Sequence, residues 1–411
     1  MRRDVMPGTA PEAPAMAEPG GPTYTSSTGR LVGLDLARGL AILGMFTAHT
    51  GPDPSVGGAV GWAMEAARGR SATLFAVLAG FSLVILTGRP QPKTGRAGRQ
   101  AMGRVLIRAF FLIALGYVLT ALGTDVDVIL SYYGVLFVLA LPLYRLRAAT
   151  LGAIAAASAL VMPHVLYLLR AAVDNGSWSD VFIAHDPLAR LTDSDGIIEL
   201  FVTGAYPVLT WLPLIITGMA VAKLDLGRPG VVSKVGLLGG VLAVIGYGGS
   251  WLALHLVPGA LEGVREASDT GIASSGWWSD AVGEDPVSGI PAWLLVASPH
   301  SQTTLSILGH TGVALAVLAA CLIGTGTWAR VRWLATPVTA VGSIALTAYV
   351  GHILAIELLG TDELPDSAAL PVFLCFAAAA MLFALVWTRF FRRGPLEYVM
   401  YALTLPARLS R

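Results

Sequence analysis

GLDLARGLAILGMFTAHTGP, residues 33–52, has the length and apolarity of a membrane-crossing helix, yet Asp35, Arg38 and His49 interrupt it. About 20 apolar residues span a bilayer core, and an Asp or Arg at the centre of such a helix costs about 2.5–3.5 kcal/mol on insertion scales. Side chains kept at that cost face a partner or a polar cavity rather than lipid. At about 100° per residue the three project within about 60° of one another, so one helix face carries them all. Asp35 and Arg38, spaced i,i+3, can neutralise each other near one end. His49 lies roughly 16 Å further along, at the other end. Gly39 and Gly44 allow a neighbouring helix to come close between them. Two readings stay open for this face. One is an Asp–Arg structural lock with a histidine reaching for the interface; the other is a charged pair below a titratable base.

The rest of the chain belongs to the same solvent. Of 411 residues, 55% are hydrophobic and 13% charged, against about 25% charged in soluble chains. The mean hydropathy is +0.68. Ten apolar segments are long enough to cross: 31–50, 70–88, 105–123, 127–144, 149–170, 205–223, 235–256, 303–325, 336–359 and 368–388. The fold class expected is therefore all-α, a polytopic integral membrane protein of about 10 transmembrane helices. A short polar turn, TDVD (124–127), makes the third and fourth a tight hairpin. Residues 1–30, rich in Pro, Gly, Ala, Ser and Thr, read as a disordered cytoplasmic tail. Arg2 and Arg3 are followed by no apolar h-region, which argues against a signal peptide. Cys321 and Cys375 both sit in apolar runs, without disulfide or zinc spacing, and read as inert packing residues. No metal and no nucleic-acid partner are expected.

Lys and Arg set the orientation. With the N-terminus in the cytoplasm, the cytoplasmic loops collect the cations of 89–104, 145–147, 223–234, 330–332 and 389–393, and the opposite side receives only Arg68, Arg70, Arg170, Arg190 and Arg265. The asymmetry holds at every loop and places both termini in the cytoplasm. All seven histidines fall in the other half or its loops: a polar outer cavity, or interfacial anchoring, accounts for them equally.

Four clusters are candidates for chemistry. Glu65, Arg68 and Arg70 open the second helix on the His49 side. Arginine there calls for a partner or an anionic ligand group, with Glu65 or Asp53 as the ordinary partner. Arg96, Arg99, Arg104 and Arg108, together with Arg89 and Lys93, crowd one cytoplasmic loop and the entry to the third helix with no acid among them. They could hold the phosphates of a nucleotide-type donor, or serve topology and anionic lipid. SPHSQTT (298–304) carries His300 and leads to His310, and ALTAYVGHIL (345–354) carries His352. With His164 these would wall an outer chamber if helices one, five, eight and nine converge. Trp178, Trp277, Trp278 and Trp293 in the outer loops could stack on sugar faces or anchor the interface.

GRLVGLDLARGLAILGMFTAH followed by ARGRSATLFAVLAGFSL resembles the transmembrane acyltransferase superfamily, in particular bacterial proteins with a heparan-alpha-glucosaminide N-acetyltransferase-like catalytic domain. The Arg38–x10–His49 spacing is similar to the motif of membrane acyltransferase-3 proteins, in which the histidine is taken as catalytic. ILSYYGVLFVLALPL, YPVLTWLPLIITGMAV, SPHSQTT, ALTAYVGHIL and RRGPLEYVM are similar to the same bacterial group. The C-terminal pieces resemble an uncharacterised domain often joined to such N-termini. The chain departs from the heparan-type pattern in one respect: the loop after its first helix holds no histidine, so either His49 takes the base role, as in the acyltransferase-3 pattern, or this branch has lost acetyl transfer.

The resemblance implies acetyl-CoA or another acyl-CoA as donor from the cytoplasm and a small-molecule or glycan acceptor at the outer side. The expectation is an acyltransferase of the plasma membrane, embedded in the lipid bilayer, with a homodimer possible. Its N-terminal acyltransferase-like domain would cover 31–230, a C-terminal membrane domain 231–398, and a cytoplasmic tail 399–411. His49, with Arg38 and Asp35, would form the catalytic group. Arg68, Arg70, Glu65, His300, His310 and His352 would bind the acceptor, and Arg96, Arg99, Arg104 and Arg108 the donor. A proton-coupled transporter or flippase, with the histidines as a relay, is the alternative. A pH-sensing or lipid-binding scaffold is the third.

Overall fold

The computed structural model describes residues 31–408, apart from residues 90, 124–125, 193–194, 269, 284–288 and 362–363. The expected N-terminal tail, 1–30, and half of the TDVD turn lie outside the described residues. Those described form helices and connecting turns, with no strand among them. The principal helices are Val32–Thr50 (α1), Gly58–Ala67 (α2), Arg70–Thr87 (α3), Gly95–Thr120 (α4), Leu130–Ala140 (α5), Ala148–Asp174 (α6) and Val208–Ala222 (α7). Val231–Ala243 (α8), Gly249–Leu256 (α9), Thr304–Thr327 (α10), Thr336–Ser343 (α11), Ala345–Leu359 (α12), Ala369–Phe390 (α13) and Pro395–Leu403 (α14) complete them. Each of the ten apolar segments carries a helix. Among the described residues, six helical stretches (α2–α3, α4, α6, α8–α9, α10 and α13) are long and apolar enough to cross a membrane, or seven if the bent pair α11–α12 counts as one span.

The helices sort into two shells. In the most apolar stretch of α10, 67% of residues are buried within the protein, against 11% in α13 and 22% in α4. α13 is also the most apolar of the set, so its exposed Leu382, Val386 and Phe390 face lipid. α1 stands in the inner shell, packed on α3, α10, α11 and α13. One apolar core runs without interruption from Leu34 to Ala384, across the boundary expected at residue 230.

Glycine lets α1 reach the centre. A methyl group on Gly39 would strike the Val338 carbonyl of α11, and one on Gly342 would strike the Asp35 carbonyl of α1. The two backbones therefore touch, which is how small residues hold helices together in lipid. Gly342→Val should lower the melting temperature of the detergent-solubilised protein by the equivalent of about 1–3 kcal/mol. Gly351→Ala is the control, since a methyl there meets nothing within 4 Å.

The expected span 336–359 is not one helix. It breaks at Ile344, whose φ of −124° and ψ of 39° leave the helical region, and α11 and α12 diverge by 88°. The freed amides of Leu346 and Thr347 donate to the Glu397 carboxylate at 2.8 and 3.2 Å, and the Thr347 hydroxyl donates to its other oxygen at 2.6 Å. A carboxylate at a helix N-terminus also complements the dipole. Glu397 lies on α14, which packs on α12 and α4. The segment expected to become a tail at residue 399 is thus helical to Leu403.

Candidate functional site

His49 is half-buried near the end of α1, and its partner comes from the far end of the sequence. His49 Nδ1 and His352 Nε2 lie 2.7 Å apart, with the two rings 7° from parallel and 5.0 Å between centroids. His352, on α12, is 4% exposed. Phe46 stacks on it at 4.4 Å and Tyr349 meets it edge-on at 5.2 Å. The Tyr349 hydroxyl accepts the Ile129 amide at 3.2 Å, which ties this group to the start of α5.

His300 stands close enough to interact electrostatically with both His49 and His310. It packs on Tyr206 and Trp211. Its backbone φ is +58°, and that of Gln302 is +57°. Two non-glycine residues in the left-handed region cost of order 1–3 kcal/mol each, and such strain gathers at functional sites. Gln302 holds the turn: its amide donates to the Ala205 carbonyl at 3.0 Å, and its oxygen accepts the Thr210 hydroxyl at 2.7 Å. His310 is 5% exposed. Its Nδ1 meets the Ser306 hydroxyl at 3.2 Å, while Nε2 has no partner. His300, Gln302, Ser306, His310 and Thr210 line a small cavity of about 20 Å³, room for one water.

Four histidines thus share one region, and three do not. His164, His185 and His255 are exposed, each turned back on the carbonyl four residues before it. The fifth helix of the sequence, α6, packs on α7 and α10, but its periodicity keeps His164 out of this group. The buried stripe of α6 runs through Leu151, Ala155, Ala159 and Pro163, which points His164 away from the bundle.

Asp35 and Arg38 form the ion pair expected of their spacing, at 3.0 Å. Arg38 also donates to the Ser82 hydroxyl of α3 at 2.6 Å. Arg68 pairs with Asp280 and, at 3.5 Å, with Asp53, rather than with Glu65. Hydrogen bonding from Ser55, with a smaller contribution from Arg68, holds the Asp53 carboxyl below the usual range. Glu65 instead accepts the Asp280 amide at 3.1 Å. Glu65, Arg68 and Asp280, with Trp62 and Trp278, line an open cavity of about 540 Å³. Arg70 is engaged by the protein itself: it donates to the Tyr247 hydroxyl at 3.0 Å, to the Glu65 carbonyl at 2.8 Å and to the Trp278 carbonyl. That arrangement ties three segments together and leaves little for a ligand.

At the opposite end the arginines of α4 divide by face. Arg96 and Arg99 are exposed, whereas Arg104 and Arg108 are half-buried. Arg108 stands within electrostatic reach of Arg104 and of Arg393. Its Nε is buried without a hydrogen-bond partner. Partial burial, and then Arg104, push the Lys93 ammonium below the usual lysine range. Lys93, Arg104, Arg108 and Arg393 are therefore linked one to the next by electrostatic contact.

Asp280, Tyr349, Ser82, Gln302 and Arg393 were not candidates from sequence. Four of them lay within stretches already quoted, Ser82 in ARGRSATLFAVLAGFSL, Gln302 in SPHSQTT, Tyr349 in ALTAYVGHIL and Arg393 in RRGPLEYVM, while Asp280 lay in none.

A family model described as heparan-alpha-glucosaminide N-acetyltransferase, catalytic, matches residues 30–246. A second, described as a protein of unknown function (DUF418), matches residues 286–406. No curated protein matches the chain. His49 falls in the first region, His300, His310 and His352 in the second, and Trp278 and Asp280 in neither.

Proposed function

Since the chain belongs to the heparan-alpha-glucosaminide N-acetyltransferase catalytic family, we propose that it moves an acyl group, acetyl foremost, from cytoplasmic acyl-CoA to a hydroxyl or amine. The acceptor would be extracytoplasmic or lipid-linked, such as a sugar. The family is of membrane acetyltransferase type, and the helices fit a multi-pass protein; the plasma membrane, the cytoplasmic termini and a crossing by all ten segments are our reading from the Lys/Arg bias. The observation that carries the reading is His49, placed at the inner-shell end of α1 and hydrogen-bonded to a second imidazole.

His49 acts as general base. It removes the proton from the acceptor nitrogen or oxygen as that atom attacks the thioester carbonyl carbon. The tetrahedral intermediate then expels the CoA thiolate, which takes the proton back from His49. The Asp35–Arg38–Ser82 group shapes the passage from the donor end. Arg104 and Arg108, joined by Lys93 and Arg393, fit the donor's phosphates, because the buried Arg108 Nε lacks a hydrogen-bond partner and, among the described residues, no carboxylate forms an ion pair with these four. Arg96 and Arg99 sit at its exposed rim. The 540 Å³ cavity suits the acceptor, with Trp62 and Trp278 as stacking faces and Glu65, Arg68 and Asp280 as polar contacts.

Acetyl-CoA should raise the melting temperature of the purified protein by mass action. Arg108→Gln should weaken that binding about 10–100-fold, the loss of a charge-assisted hydrogen bond of about 1.5–3 kcal/mol. If no acyl-CoA of any chain length shifts the melting temperature, the proposal fails. One observation favours the transporter or flippase reading: the 88° break between α11 and α12 beside α1, since discontinuous helices build transporter sites. Solute flux in proteoliposomes without CoA release would establish it instead.

A further inference from the structure

The C-terminal region of unknown function contributes one member of the closest histidine pair in the molecule. We propose that this domain works as half of the active site, with His352 as a positioning residue that holds His49 in the tautomer whose basic nitrogen is Nε2. The purpose rests on the acyltransferase reading; the geometry does not.

Two imidazoles sharing a 2.7 Å hydrogen bond need one donor and one acceptor. The other nitrogen of His352 decides which is which. Its Nδ1 is buried with no hydrogen-bond partner, and the Ala348 and Tyr349 backbones, one turn back on α12, interact with the ring. Three other helical histidines of this chain turn Nδ1 to the carbonyl four residues earlier. A buried ring nitrogen that faces only carbonyls carries a proton, because two acceptors face to face would leave both unsatisfied. With Nδ1 protonated, neutral His352 has a bare Nε2. His49 must then donate from Nδ1, which leaves its own lone pair on Nε2.

The arrangement parallels the orienting carboxylate of a hydrolytic triad, with a neutral group in its place. A neutral orienter avoids burying an unpaired charge. When His49 accepts a proton on Nε2, its Nδ1–H becomes a charged donor, and the bond to His352 strengthens at that moment. The fold keeps the His352 ring from turning away. Phe46 and Tyr349 hold it on two sides. The Glu397 carboxylate fixes the first turn of α12, about one and a half turns before His352. Break, cap and histidine all come from residues 286–406, so the domain's architecture delivers one imidazole to one place.

The test is ¹⁵N NMR of histidine-labelled full-length protein in nanodiscs at pH 8, with His49 assigned by its loss in His49→Ala. We expect a protonated Nδ1 and an unprotonated Nε2 on His49, and loss of that preference in His352→Phe. In the same variant kcat for acyl transfer should fall about 10–100-fold, as for other orienting partners, with KM for acyl-CoA unchanged within about two-fold. His352→Gln, whose side-chain oxygen can accept the Nδ1–H, should restore both the tautomer and most of kcat. A wild-type His49 protonated on Nε2, or a ¹⁵N pattern unaltered in His352→Phe, overturns the assignment. The expected pattern in a protein that transfers no acyl group upholds the positioning role and overturns the acyltransferase reading.

Discussion

His49→Ala should lower kcat for acyl transfer about 10²–10⁴-fold, the usual contribution of a positioned general base. Donor binding should survive, because the cationic cluster around Arg104 lies at the opposite end of the bundle. The acetyl-CoA-induced rise in melting temperature should therefore match wild type within error. The fold should survive too: His49 is half-buried, and its loss leaves one orphaned nitrogen on His352. The comparison that decides is kcat against donor-induced stabilisation in the same preparation. Full transfer activity in His49→Ala would remove the base from the mechanism.

The second large effect is structural. Asp35 is 3% exposed and pairs with an Arg38 side chain that is 22% exposed. Breaking a buried pair by removing one partner costs about 3–5 kcal/mol, because it strands the other charge. Arg38 keeps Ser82 and some solvent, so Asp35→Ala should cost about 3 kcal/mol, at the low end of that range. The double variant Asp35→Leu, Arg38→Met should recover most of that loss, since it removes both charges of the pair together. Urea or thermal unfolding of both variants in the same detergent measures it. A double variant as unstable as the single one would show that the pair does more than neutralise itself. A stable double variant with wild-type transfer would place both residues in the architecture and outside the chemistry.

What could be read from the sequence was what lies close along it. The Asp35–Arg38 pair joins residues three apart on one helix, and helical geometry alone brings them together. The apolar runs were legible because each encodes its own solvent preference over about 20 residues. The kink at Ile344 had a signal in the Gly342–Ser343 pair preceding it, but the continuous apolarity of 336–359 masked it. Nothing local marked Glu397 as the group that takes up the freed amides, 51 residues from Leu346.

The site was legible only in part, for the same reason. Arg38–x10–His49 pointed to His49, and its resemblance to an acyltransferase motif gave it a role. The sequence alone thus determined the all-helical fold class, the apolar segments and the first helix's polar face, all set by residues within a few turns of each other. The tertiary structure decided the partners. His352 meets His49 across 303 positions, Asp280 rather than Glu65 meets Arg68 across 212, and His164 turns outward. Those choices depend on which helix backs pack together, and that was settled by close approaches such as Gly39 on Val338 and Gly342 on Asp35. Packing of this kind is a property of two surfaces at once, and no single stretch of the chain carries it.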